Sequence, residues 1–431
     1  MIRKIFFLST LIILFLLTVF CAPGKNVQQK PIPVEVRQVE GKFRLYRDGQ
    51  PYYIKGAGGS SQISELARRG GNSIRTWSTR NARAVLDSAQ KYGITVLMGL
   101  HVQKERHGFD YDDEQAVRDQ LQQLTAEVKQ FKDHPALLAW GIGNELNLRY
   151  TNKKVWDAVN DIAAMIHEVD GLHPVTTMLA GVGKEEVDYI NEHCPNLNFL
   201  SVQMYADVIN VKKRVREAGW NGAYAVTEWG ATGHWEVPLT PWGAAIEQTS
   251  SERAKLLLDH YEQGILSDST QCLGSYVFLW GQKQERTPTW YGLFTEYGDA
   301  MESIDVMQYL WTGQWPKNRV PQIFDVLLEG KTRYDNVRLQ PGQQATLTFR
   351  GYDFENDPLT IAAEVLPESR DLGDGGDYES RPQTLPGLFK EIQQDKVIFK
   401  TPAESGAYRI FIYIRDGHNQ AATANVPFYV E

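Results

Sequence analysis

Between residues 52 and 280 eight short apolar runs alternate with seven amphipathic stretches. Strand signals fall at 52–56, 72–77, 95–101, 136–143, 174–178, 199–205, 223–227 and 273–280. Helical periodicity separates them at 63–69, 82–92, 113–131, 154–169, 185–191, 208–218 and 251–266. Runs this short are too brief for buried helices, and amphipathic segments between them supply parallel crossovers. Eight such units over about 250 residues have the size and pattern of an α/β (β/α)8 barrel.

The flanks read differently. Residues 34–56 contain a hairpin signal at Asp48-Gly49, whose second strand runs on into the first barrel strand. After Trp315-Pro316 helix signals stop, and short alternating runs at 345–350, 396–400, 408–415 and 424–430 predict a small Ig-like β-sandwich. The expected division is a barrel with its hairpin over 34–317 and a sandwich over 318–431. Deleting 320–431 is expected to leave a folding barrel whose rate on short substrates is nearly unchanged. Residues 369–387, polar and rich in Gly, Asp and Pro, read as a long loop. The run Gly351-Tyr-Asp-Phe-Glu-Asn-Asp-Pro358 spaces its oxygen side chains in a way that suits calcium. It also reads as an ordinary turn, and no metal ligands and no cofactor are assigned.

At the N-terminus, Met1-Ile-Arg-Lys4 is basic and 5–20 is almost unbroken apolar sequence, a secretory signal or a short anchor. Cys21 follows it, as in bacterial lipoproteins whose processed cysteine carries lipid, although Phe20 stands where a small residue is usual. Residues 1–21 are read as that segment and 22–33 as a tether. The chain is therefore expected in the cell envelope, lipid-anchored to the outer membrane, on its periplasmic or outer face. A net charge of −8 argues against nucleic acid as partner. Cys194 and Cys272 are left either as a disulfide or as two buried thiols.

Two apolar runs end in carboxylates: 135–144 stops at Glu145, and Ala223-Tyr-Ala-Val-Thr runs into Glu228. In a parallel barrel the ends of the strands carry the chemistry. Two carboxyls at one site suit glycosidic cleavage, one giving a proton to the leaving oxygen and the other attacking the sugar or activating water. No Gly-x-Ser-x-Gly elbow and no phosphate-binding loop compete with that reading.

The segments Phe43 through Lys55-Gly56, Gly71-Asn-Ser-Ile-Arg-Thr-Trp77, His134-Pro-Ala-Leu-Leu-Ala-Trp-Gly-Ile-Gly-Asn-Glu145 and Thr227-Glu-Trp-Gly230 resemble clan A retaining glycoside hydrolases. The likeness is greatest to the barrel domain of glycoside hydrolase family 2, with similarity to families 5 and 72. It implies Glu145 as acid/base and Glu228 as nucleophile. Arg75 is then the cation beside Glu228, Tyr205 a donor to it, and Asn144 a donor to the sugar 2-hydroxyl. Trp77, His101, Trp229 and Trp280 are expected to bind sugar, with Trp280 as the subsite floor. The β-domain follows the barrel here, whereas family 2 proteins usually carry theirs before it. Lys55-Gly-Ala-Gly-Gly-Ser60 stands where that family has a histidine. The expected activity is retaining hydrolysis of a β-glucan-like poly- or oligosaccharide. The alternatives are a glucan transglycosylase and a non-catalytic carbohydrate-binding lipoprotein.

Overall fold

Eight apolar runs close into one parallel barrel in the computed structural model, which describes residues 30–431. In chain order the strands are Ile54–Gly58, Ser73–Arg75, Thr95–Leu100, Leu137–Ile142, Val175–Ala180, Leu200–Gln203, Tyr224–Gly230 and Cys272–Phe278. Strand eight pairs with both strand one and strand seven, which completes the ring. Almost every strand residue is buried, as expected when side chains face either the axis or a jacket of helices. Tyr276 fills the axis and shares a 2.9 Å hydrogen bond with Ser73. Gly56 makes room for it: a Cβ there would stand 2.4 Å from the Tyr276 ring.

The Asp48-Gly49 turn joins Lys42–Arg47 to Gln50–Tyr52, with both turn residues at positive φ, as a tight hairpin turn requires. With Val34–Val39 this makes a three-stranded sheet. Its Val34 and Leu45 pack with Ile54, Phe199, Ala223 and Leu273 at the strand starts, plugging the bottom of the barrel. The helices match the sequence reading within a few residues, with one addition. Glu302–Thr312 is an eighth helix beyond strand eight, and Ser250–Asp259 continues as a π-helical turn over His260–Ile265.

Beyond it, two four-stranded sheets enclose a separate core that includes Leu347, Phe399, Ile412 and Phe428. One holds Gln322–Leu328, Gln344–Tyr352, Lys396–Lys400 and Phe389–Ile392. The other holds Val337–Leu339, Ala421–Val430, Gly406–Arg415 and Thr360–Pro367. Buried polar bonds fasten this sandwich to the barrel. Arg409 Nη2 donates to the Ala245 carbonyl (2.7 Å), and Asn425 Nδ2 donates to Glu247 Oε2 (2.6 Å). Cys194 and Cys272 are both free thiols. The leader, Cys21 and most of the tether lie outside the described residues. Among the described residues no helix is long and apolar enough to cross a membrane.

Candidate active site

Strand seven has register irregularities against both neighbours beyond Val226, and these set the aim of its last side chains. Glu228 turns into the barrel mouth and is met by four donors. Its Oε1 accepts from Arg75 Nη1 (2.6 Å), Trp77 Nε1 (2.9 Å) and Gln203 Nε2 (3.1 Å). Its Oε2 accepts only from the Tyr205 hydroxyl (3.1 Å). Arg75 and Gln203 end strands two and six, and Trp77 and Tyr205 stand two residues further on. Burial, then the Glu228 charge, raises the Tyr205 hydroxyl far above its ordinary pKa, so it stays a neutral donor.

Asn144 Oδ1 accepts from Arg75 Nη2 and from Gln203 Nε2 (2.8 Å). Two donors on the oxygen orient the amide, leaving Nδ2 as its free group on the cavity side. Arg75 is fully buried beneath, linking Asn144, Glu228 and the Thr227 carbonyl.

Glu145 adopts a left-handed backbone, φ 52°, after Gly143 at φ 68°. Such a conformation is costly for a residue with a side chain and concentrates at functional sites. Burial, reinforced by the charge of Glu228, pushes the Glu145 carboxyl up to about 7. Glu145 and Glu228 line the same cavity of about 500 Å³.

One wall of that cavity comes from the sandwich domain, through the 369–387 loop. Gly375 sits against the acid: a Cβ there would meet Leu148 Cδ2 at 2.4 Å and Glu145 Oε2 at 3.2 Å. Its φ of +53° also favours glycine. Arg106 grips Asp377 with both terminal nitrogens (2.6 and 3.1 Å), and His107 Nε2 adds a 3.1 Å contact. Lys283 Nζ donates to the Gly376 carbonyl (2.7 Å), and Arg286 Nη1 donates to Glu379 Oε1 (3.0 Å). The expectation that the sandwich could be deleted without touching the site is therefore corrected, because its loop stands against Glu145.

Residues 61–227 match the family model described as Glycosyl hydrolases family 2, TIM barrel domain. Over those residues the barrel is similar to the family 2 glycosyl hydrolase barrel. The match contains Glu145 and ends one residue before Glu228. Among solved structures, the chain is similar to Bacteroides uniformis β-glucuronidase at 13% identity and TM-score 0.52, over 92% of this chain and 48% of that one. It is similar to β-D-glucuronidase from Dictyoglomus thermophilum at 16% identity and TM-score 0.51, over 66% and 54%. Similarity to the GH2 β-galacturonidase of Eisenbergiella tayi is 17% identity and TM-score 0.51, over 65% and 54%. The chain thus spans about half the length of these structures. No curated protein sequence matches it.

Of the residues expected to bind sugar, Trp77, His101, Asn144 and Tyr205 line the cavity, with Arg75 directly behind. Two do not. Trp229 is fully buried and packs on Tyr261, because a strand that turns Glu228 inward turns the next side chain outward to the helices. Trp280 is also fully buried, between Phe294 and Trp311, with Nε1 donating to the Gln62 carbonyl (3.1 Å). Strand eight ends at Phe278, and Phe278 and Leu279 hold the cavity position expected of Trp280. Trp280→Ala should therefore cost about 3–5 kcal/mol of stability and leave KM nearly unchanged. Urea unfolding beside steady-state kinetics checks this. Sequence reading missed Lys104, Lys283, Glu285 and Trp235, which also line the cavity, and Gln203, which donates to Asn144 and Glu228. Of these, Trp235 is 60% exposed and meets Tyr205 edge to face, making an aromatic rim.

Proposed function

We propose that the protein is a retaining glycoside hydrolase acting on β-linked, glucan-like oligo- or polysaccharides. The observation that carries this reading is the unequal treatment of two carboxyls in one cavity. Glu145 has its proton held up to about 7 by burial, whereas Glu228 faces a buried guanidinium and three further donors. Glu145 gives its proton to the leaving oxygen as the glycosidic bond breaks. Glu228 attacks the anomeric carbon through Oε2, the oxygen with only one hydrogen bond. Glu145 then takes a proton from water, which cleaves the glycosyl–enzyme ester and restores both carboxyls. Asn144 Nδ2 is placed to hold the 2-hydroxyl, and Trp235 offers its face to the departing sugar.

A second reading concerns the sugar. Lys104 lines the cavity beside Glu145, while Arg75, Arg106 and Lys283 are paired to Glu228, Asp377 and Glu285. A cation there suits a uronic acid, the kind of substrate named for the structural neighbours. The test is turnover of matched β-glucosides, β-glucans and β-uronides, with the first-formed anomer read by NMR. Retained β-anomer from any of these supports the mechanism; α-anomer first, or no turnover across the panel, defeats it.

The proposed location is the cell envelope, through lipid on Cys21. Cys21→Ser should release the protein from the membrane fraction or stall its processing, and unchanged fractionation would refute the anchor.

A further inference from the structure

We propose that the sandwich domain binds one calcium ion at the joint between the two domains, held by Asp353, Asp357 and Asp416. One carboxylate oxygen from each lies within 4.8 Å of the others. Acidic residues gather on many surfaces without an ion, but two of these three are buried and the third is half-buried. Asp353 is 6% exposed and Asp416 3%. Asp353 Oδ1 accepts from the backbone N–H groups of Glu355 and Asp357, yet its Oδ2 is buried with no hydrogen-bond partner, as is Asp357 Oδ2. A buried carboxylate oxygen without a donor calls for a positive charge.

The third carboxylate is already served: the Gln420 amide nitrogen donates to Asp416 Oδ2 (2.6 Å) and to the Arg319 carbonyl (3.0 Å). The oxygens left without a donor are Asp353 Oδ2 and Asp357 Oδ2. The nearby cations do not fill the role. The Arg319 guanidinium is directed to Asp305 (3.4 Å) and stacks on Trp315, and His418 Nε2 lies 3.5 Å from Asp357 with its side chain 58% exposed. Three carboxylates gathered from two irregular turns suit calcium, whose coordination is flexible, better than magnesium, which demands a near-ideal octahedron.

The two contributing turns explain what the ion would do. Asp353 and Asp357 flank one sandwich turn. Asp416 and Gln420 bracket another turn that hydrogen-bonds to the barrel, where Ala300 N–H donates to the Asn419 carbonyl (2.8 Å) and Ala421 N–H donates to the Ala300 carbonyl (2.9 Å). The ion would fix the turn that docks the sandwich on the barrel.

The test uses the full chain stripped with chelator. Calcium at about 1 mM should raise Tm by about 2–5 °C, with magnesium giving a much smaller shift. Elemental analysis after gel filtration should find one calcium per chain. Asp353→Asn and Asp357→Asn should each abolish the calcium-dependent shift. Wild-type metal content stands independently if either variant folds poorly. Absence of calcium from the wild-type chain, a shift equal for magnesium, or undiminished binding by both variants would overturn the proposal.

Discussion

Glu228→Gln is expected to lower turnover by on the order of 10⁴-fold or more, roughly 5.5 kcal/mol of transition-state stabilisation, with the protein still folded. The amide can place its oxygen where three donors converge and its nitrogen against the Tyr205 hydroxyl, which can also accept. Shape is kept while the nucleophile is lost. Arg75 is left buried without its anion, so Tm should fall, by the equivalent of about 3 kcal/mol. It keeps its bonds to the Thr227 carbonyl and Asn144, which limits the damage. Single-turnover kinetics and calorimetry on the same preparation separate the two effects. Restored turnover of Glu228→Ala by added azide, with an α-glycosyl azide as product, would identify the missing group as the attacking one. Near-normal activity of Glu228→Gln on any substrate would remove Glu228 from the mechanism.

Replacing residues 372–380 with a short Gly-Ser bridge should cost about 10–100-fold in kcat/KM at pH 7 and move the alkaline limb of the pH profile downward. The sign follows from the acid's role. Glu145 must carry its proton before the leaving oxygen departs, so activity falls as pH rises through its pKa, about 7 in the intact protein. Gly375 lies against Glu145 Oε2, and removing that cover admits water. With desolvation reduced, the carboxyl moves back toward its ordinary 4.5 and is mostly ionised at neutral pH. A pH–rate profile of both proteins checks this. An unchanged alkaline limb would show that the loop does not govern the acid.

Much of the barrel was legible because each strand and helix is a local pattern, and strand ends pointed to Glu145, Glu228 and Arg75. The failures have specific causes. The apolar run 273–280 hides where strand eight stops: the sequence places its end at Trp280, and the strand ends at Phe278. The apolar pattern of strand six runs on to Tyr205 and so passes over Gln203, its true last residue and the donor shared by Glu228 and Asn144. Trp229 follows the inward-facing Glu228, and strand alternation sends it to the opposite face, away from the site expected of it. The loop carrying Gly375 and Asp377 has no periodicity, and its grip on Arg106 spans 271 residues of chain, so nothing local announces it.

That grip also sets a timetable. A chain made from its N-terminus holds both glutamates once residue 228 has emerged, with the barrel's last strand following by Phe278. The wall against Glu145 arrives a hundred residues later, and it is positioned only after strands Gly406–Arg415 and Ala421–Val430 complete the sandwich. Newly made or truncated chains therefore carry both carboxyls in an open cleft, with the acid still poorly tuned. The proposed activity thus depends on the strands through Val430, and the full rate is expected only from molecules whose sandwich has folded.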